Sequence, residues 1–130
     1  YPALDGLRLG VVEGVVADQG VIGVVESALA LGLQRAGAEK GASVNIHLAV
    51  VDGGVGANTS GTLIRRVTLQ ARASVSSRPG CSIAADVDGQ YVISKDGHVA
   101  DQSRTEKLQE LAGPLTTRLI DLLVLEPKCR

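Results

Sequence analysis

The sequence predicts an α+β fold of two layers, in which a mixed β-sheet carries a crossover helix and a C-terminal helix on one face. Hydrophobic and polar residues alternate over residues 44–50 and again over residues 66–75, the pattern of half-buried strands. Hydrophobic residues recur at helical spacing over residues 21–36 and again after residue 103. A helix between the first two strands makes them parallel, whereas a hairpin makes the second and third antiparallel.

Composition limits both the architecture and the function. A chain of 130 residues with 45% hydrophobic content fits a single domain over residues 1–130. It has no Phe, Trp or Met, and Tyr1 and Tyr91 are its only aromatic residues, so aliphatic side chains must fill the core. A net charge of −1 and so few aromatic rings argue against a nucleic-acid partner. The sequence contains no run of 18 hydrophobic residues, so no membrane-spanning segment is predicted.

The first strand is predicted at residues 7–16, where Leu7, Leu9 and Val11 alternate with less hydrophobic positions. Asp18 is the expected N-cap of a helix over residues 21–36, and Gly37 lies where a left-handed C-terminal residue is favoured. The stripe expected to face the sheet consists of Ile22, Val25, Leu29, Leu33 and Ala36.

The other side of this helix is unusually hydrophobic for a solvent-facing surface. Val24, Ala28 and Leu31 lie there together with Val21, and only a few polar residues separate them. Either the helix is covered on two sides by its own chain, or it contacts a protein partner. We therefore predict an interface at Val24, Ala28 and Leu31, used by a protein partner or by self-association into a homo-oligomer.

Between the two alternating runs, residues 52–61 are rich in Gly and turn-forming residues and predict a long hairpin connection. Pro79 and Gly80 end a sharp reversal over residues 76–80. Two short extended segments follow, residues 81–87 and residues 91–93, with a tight turn predicted at Asp88 and Gly89 between them.

The last element is a helix after a turn over residues 95–98. Ser103 and Glu106 have the spacing of a capping box at its start. Pro114 follows Gly113 and predicts a kink, or two helices with Pro114 in the first turn of the second. The hydrophobic stripe consists of Leu108, Leu111, Leu115, Leu119 and Leu122.

Cys81 and Cys129 are the only cysteines, and neither has a second Cys or a His at metal-ligand spacing. We predict a disulfide between them, with two unrelated free thiols as the alternative. A disulfide would indicate an oxidising compartment.

No pattern in the sequence predicts a metal, a cofactor or a catalytic centre. Gly54-Val55-Gly56 follows a strand, but neither a third fingerprint glycine nor a P-loop lysine accompanies it. Asp86-Val87-Asp88-Gly89 begins like a calcium loop, yet Tyr91 stands where the turning glycine belongs. We interpret these carboxylates as solvated turn residues.

His47 and His98 are the only imidazoles, and neither lies in the context of a catalytic nucleophile. We interpret both as surface residues. Residues 58–60 match the N-glycosylation pattern, which is relevant only in a eukaryotic secreted protein. The basic outer side of the hairpin, at Arg65, Arg66, Arg72 and Arg78, is interpreted as solvated.

The chain resembles small bacterial cell-envelope lipoprotein domains, of the kind grouped with YajG-like and outer-membrane assembly lipoproteins. The resemblance rests on the helix at residues 21–36, then Val44-Asn45-Ile46-His47-Leu48, then Asn58-Thr59-Ser60-Gly61-Thr62-Leu63 leading into a long strand. Such proteins carry a lipid on an N-terminal cysteine, which this sequence lacks, so an anchor would lie outside the chain. The resemblance implies a non-catalytic periplasmic accessory or assembly subunit, with several copies in a ring as one arrangement.

Two other functions stay open: a carrier of a small apolar ligand in a cavity between sheet and helices, and a hydrolase with an unrecognised site. A carrier is expected to show a thermal shift with an apolar ligand. A hydrolase is expected to lose activity when His47 or His98 is changed. An assembly subunit should do neither, but should associate.

Overall fold

The chain forms a four-stranded mixed sheet with two helices packed on it, which confirms the predicted α+β fold. The structure, a computed structural model, describes residues 6–15, 19–35, 41–57, 61–93 and 97–129. Its sheet order is β1-β2-β3-β4, with β1 and β2 parallel and the other neighbours antiparallel. The elements are β1 (Gly6–Val15), α1 (Gln19–Arg35), β2 (Gly41–Ala57), β3 (Leu63–Val75), β4 (Arg78–Val92), α2 (Gly97–Leu125) and a 3₁₀ turn (Pro127–Cys129).

The core lies between the sheet and the two helices and is almost entirely aliphatic. Every second residue of β3 from Val67 to Val75 is buried, as the alternating pattern predicts. The opposite face of the sheet carries the polar partners of this alternation and is open to solvent. The largest fully buried side chains are Leu7, Val21, Val25, Leu29, Leu33, Ile46, Leu48, Leu69, Leu108, Leu115, Leu119 and Leu123.

A bulge divides β1 and changes which of its side chains face the core. The register with β2 shifts between Leu9 and Val12, so that Val12 pairs with Ile46. Val11, predicted to alternate inward with Leu9, is instead 58% exposed. Its backbone N–H donates to Oδ1 of Asn45 (3.1 Å), whose Nδ2 donates to Oγ of Ser76 (3.3 Å). Asn45 thus supplies the bulge with the acceptor that a regular ladder would have provided.

Replacing Asn45 by alanine is expected to lower the free energy of unfolding by about 1 kcal/mol, because the Val11 N–H loses its acceptor. Asn45→Asp keeps the acceptor and loses the donor to Ser76, so its effect should be smaller. Chemical denaturation of the three proteins checks the order. Equal stabilities for wild type and Asn45→Ala would show that the bulge does not depend on this side chain.

The predicted long connection over residues 52–61 is wrong, because β2 continues to Ala57. The glycines begin in a register shift between Asp52 and Val55. Beyond this shift, β2 pairs with β3 again as far as Leu63. Hydrogen bonds to β3 hold this segment in a strand, although glycine by itself does not favour the strand conformation. Asp52 also forms an ion pair with Arg104 of α2, with 3.0 Å between Nε and Oδ1.

The predicted tight turn at Asp88 and Gly89 is also wrong, since both residues lie within one continuous strand, β4. The long strand β3 pairs with β4 from Ser82 to Val92 without a break, so the ladder overrides the local turn preference. The reversal before β4 consists of Ser76 and Ser77, with Ser77 in a left-handed conformation (φ 68°). Pro79 and Gly80 therefore belong to the strand and not to the turn.

Helix α2 begins at Gly97, six residues before the predicted capping box. Ser103 and Glu106 consequently lie inside the helix, and His98 lies in its first turn instead of in a loop. Pro114 is accommodated within one continuous helix, so the alternative of two separate helices is wrong. Packing of the leucine stripe over about four turns outweighs the hydrogen bond that proline cannot donate.

Helix α1 has the predicted extent to within two residues but packs on two sides. It contacts both β1 and α2. Val21, predicted to face outward, is fully buried, whereas Ile22 is only half-buried. Val21 lies on the same side of the helix as Gly32, eleven residues later, and Ile120 of α2 lies close to Gly32. Asp18, Ala36 and Gly37 lie outside the residues whose side chains the structure describes.

Cys81 and Cys129 are joined by a disulfide with 4.7 Å between their Cα atoms. Both cysteines are buried. The bond fastens the C-terminal 3₁₀ turn to the start of β4, where Nη1 of Arg78 also donates to the carbonyl oxygen of Cys129 (2.6 Å). The described residues contain no free cysteine.

Candidate protein-binding surface on helix α1

The outward side of α1 presents a hydrophobic strip that the rest of the described chain leaves uncovered. Val24 is 38% exposed, Leu31 is 48% exposed and Ala28 is half-buried. Their spacing of four and three residues places all three on one side of the helix over about 10 Å. We call these three residues the α1 strip.

Small residues lie beside the α1 strip and were missed by the sequence analysis. Gly20, Gly23 and Ser27 line a shallow, open groove together with the strip. With such small side chains, another protein could approach the helix backbone closely. The signal was present in the sequence as small residues at helical spacing next to the hydrophobic ones.

The two interior glycines of α1 lie in different surroundings. A Cβ added at Gly32 would lie 2.0 Å from Cδ1 of Ile120, so Gly32 permits close packing of α1 on α2. A Cβ added at Gly23 would meet nothing within 4 Å. Glycine costs about 1 kcal/mol relative to alanine in a helix interior, so the chain's own packing gives no reason for Gly23.

Of the residues considered for chemistry, the structure describes the side chains of His47 and Asp88, which lie on different strands, β2 and β4. His47 is exposed on the open face of the sheet, where the strand register places it between Glu13 of β1 and Arg72 of β3. Asp88 accepts a hydrogen bond from the hydroxyl of Thr68 on the neighbouring strand. The side chain of His98 and the glycosylation pattern at residues 58–60 lie outside the described residues.

Within the described part of the chain, no group of three or more His, Cys, Asp or Glu residues is placed to hold a metal ion. Of the helices described, neither is long and hydrophobic enough to cross a membrane. The basic residues predicted on the outer side of the hairpin differ in exposure. Arg66 and Arg72 are exposed, whereas Arg65 is half-buried and is paired with Tyr91 in the strand register.

Comparison with known proteins gives structural neighbours only. No protein-family model and no curated protein matches the sequence. Among solved structures, the fold is similar to that of a protein assigned as a lipoprotein from Caulobacter crescentus, with a TM-score of 0.52 and 15% identity. That alignment covers 86% of this chain and 86% of the other.

Two further structures show the same likeness. A minor lipoprotein from Acinetobacter baumannii aligns with a TM-score of 0.59 and 9% identity, covering 93% of this chain and 91% of that one. The rare lipoprotein B from Shewanella oneidensis aligns with a TM-score of 0.57 and 10% identity, covering 92% and 94%. At these identities the likeness shows a shared fold. It agrees with the resemblance to small cell-envelope lipoprotein domains that the sequence indicates.

Proposed function

We propose that this protein is a non-catalytic accessory or assembly subunit of the bacterial cell envelope, located on the periplasmic side, which acts through protein–protein contacts at the α1 strip. The observation that carries the proposal is the exposed hydrophobic strip on a helix already covered on two sides. The disulfide supports an oxidising compartment, and the fold shared with three bacterial lipoproteins supports the envelope.

The strip has the composition of the centre of an interface. Burying a few hundred Å² of its hydrophobic surface would contribute several kcal/mol at roughly 25 cal/mol per Å². Association costs a comparable amount of free energy, because the partners lose translational and rotational freedom. The strip alone would therefore give weak binding. A stable interface buries about 800 Å² on each partner, and the exposed polar residue Gln34, three residues after Leu31, would belong to its rim.

Changing Leu31 to glutamate is expected to dissociate the complex while leaving the chain folded, since a charge would be buried without a partner. Ala30→Glu is the matched control, because Ala30 is exposed on the same turn but does not line the groove. Native mass of tagged chain purified from its own cells measures the stoichiometry, and circular dichroism measures the fold.

Three outcomes separate the possibilities. Loss of the partner in Leu31→Glu but not in Ala30→Glu supports the proposal. Loss of fold in Leu31→Glu would show that Leu31 belongs to the core. A monomer of unchanged mass in all three proteins would contradict a partner at α1.

A further inference from the structure

The two edges of the sheet differ in how they are protected against pairing with another strand. The edge strand β1 carries a bulge and exposed charges at Arg8 and Glu13, which are common devices against such pairing. The other edge strand, β4, has no bulge between Ser82 and Val92 and carries exposed charges only at Asp86 and Asp88 in its middle, so its remaining protection lies near its ends. Pro79 cannot donate a hydrogen bond, the side chain of Lys128 lies against Gly80, and that of Lys107 lies against Gly89.

Between these protected ends, residues 82–88 form an open edge. This segment contains no Pro, Gly, Lys or Arg, and its register with β3 has no bulge. Within the described structure, its backbone makes no hydrogen bond except to β3. Alternate residues of an antiparallel edge strand direct their N–H and C=O groups away from the sheet, so this segment offers unpaired donors and acceptors.

A hydrophobic groove runs beside the open edge. It is lined by Ser82, Ile83 and Ala84 of β4 and by Leu122, Leu125 and Glu126 of α2. Leu125 is 71% exposed, the highest value among the large hydrophobic side chains that the structure describes. Further along β4, Arg118 of α2 lines a second groove together with Ala84, Ala85 and Asp86 of β4 and with Gln70, Ala71 and Arg72 of β3.

We propose that a second copy of this chain pairs with the open edge, strand β4 against strand β4 in antiparallel orientation, around a two-fold axis passing near Ala84 and Leu122. The product would be a continuous eight-stranded sheet with both α2 helices on one side. The two-fold axis makes every contact occur twice. This proposal goes beyond the α1 strip, because it uses a different surface and identifies the partner as a second copy of this chain.

The edge is complementary to itself under this symmetry. Ala84 would lie opposite Ala84 of the second copy, and the hydroxyl of Ser82 would lie opposite the carboxylate of Asp86. Small side chains and a hydroxyl–carboxylate pair are compatible with close strand pairing.

Charges on α2 follow the same symmetry. Glu126 lines the groove at the Ser82 end of the open edge, whereas Arg118 lines the groove that contains Asp86. The two-fold axis therefore brings Glu126 of each copy towards Arg118 of the other, and opposite charges meet twice. The exposed Leu125 would be covered in the same contact, which gives this residue a partner that the single chain lacks.

Cross-linking tests the strand pairing. Ala84→Cys introduces the only free thiol of the described residues, and a short bis-maleimide should join two copies because directly opposed residues lie about 5 Å apart. Gln90→Cys is the matched control on the same face of β4, far from the axis. Efficient cross-linking of Ala84→Cys alone is the expected result. Equal, weak cross-linking of both variants, with a monomer by sedimentation at about 200 µM, would overturn the proposal.

Charge reversal tests the orientation. Arg118→Glu should raise the dimer dissociation constant about tenfold, since two attractions become two repulsions. Arg118→Glu combined with Glu126→Arg should restore it, and Gln109→Glu, an exposed α2 position away from β4, should leave it unchanged. Dimerisation without rescue in the double variant would overturn the antiparallel arrangement. Leu31→Glu should leave the dimer intact, so failure here and failure at α1 are distinguishable.

Discussion

Replacing both Cys81 and Cys129 by alanine is expected to lower the free energy of unfolding by roughly 4 kcal/mol. The disulfide closes a loop across a sequence separation of 48 residues that includes most of β4 and all of α2. Without it the unfolded chain gains conformational entropy, and for a loop of this size the gain corresponds to about 4 kcal/mol. The effect is large for a domain whose total stability is expected to be about 5–15 kcal/mol.

Urea denaturation with and without reductant measures this effect. Wild-type protein should lose stability when reductant is added, whereas the double alanine variant should not respond to reductant. Intact mass after alkylation without reductant provides the independent check on the bond. Two freely alkylated thiols under oxidising conditions would contradict it.

Gly14→Ala is expected to be the most damaging single change to the edge strand β1, with a loss of about 3 kcal/mol. A Cβ at Gly14 would lie 1.9 Å from the backbone oxygen of Leu48, and this neighbour cannot rotate away as a side chain could. Gly14 also has φ +156°, a conformation that other residues rarely adopt. Overpacking costs about 1–3 kcal/mol, and backbone strain adds to it.

Gly54→Ala is the matched control for this prediction. Gly54 also lies in a strand, within the register shift between Asp52 and Val55 of β2, but a Cβ there would meet nothing within 4 Å. Alanine should therefore be neutral or slightly stabilising, because it restricts the unfolded chain. Thermal unfolding of both variants measures the difference. Equal loss of stability at Gly14 and Gly54 would show that steric contact with β2 is not the cause.

Local patterns in the sequence were sufficient for the elements whose hydrophobic period is regular. Alternation over residues 66–75 correctly assigns Val67, Leu69, Ala71, Ala73 and Val75 to the core. The leucine spacing of the last helix correctly assigns Leu108, Leu115 and Leu119 to the core. Where the backbone is regular, the spacing of residues along the chain determines which face each side chain occupies. These assignments therefore need no tertiary information.

The extents of the elements were set by tertiary pairing and could not be obtained in the same way. Glycines over residues 53–56 and the pair Asp88-Gly89 favour turns by themselves, but hydrogen bonds to β3 hold both segments in strands. The bulge in β1 reversed the face of Val11, because one inserted residue changes the alternation that follows.

The candidate interface likewise depends partly on local sequence patterns and partly on tertiary structure. The sequence by itself determined that Val24, Ala28 and Leu31 share one side of a helix, since this depends only on helical spacing. It also determined the fold class and the only possible intramolecular cysteine pair. Only the tertiary structure decided that Val21 is buried, that α2 approaches Gly32, that the α1 strip stays exposed, and that β4 is an edge. The reason is physical: spacing assigns residues to a face, whereas exposure of that face depends on elements distant in the sequence.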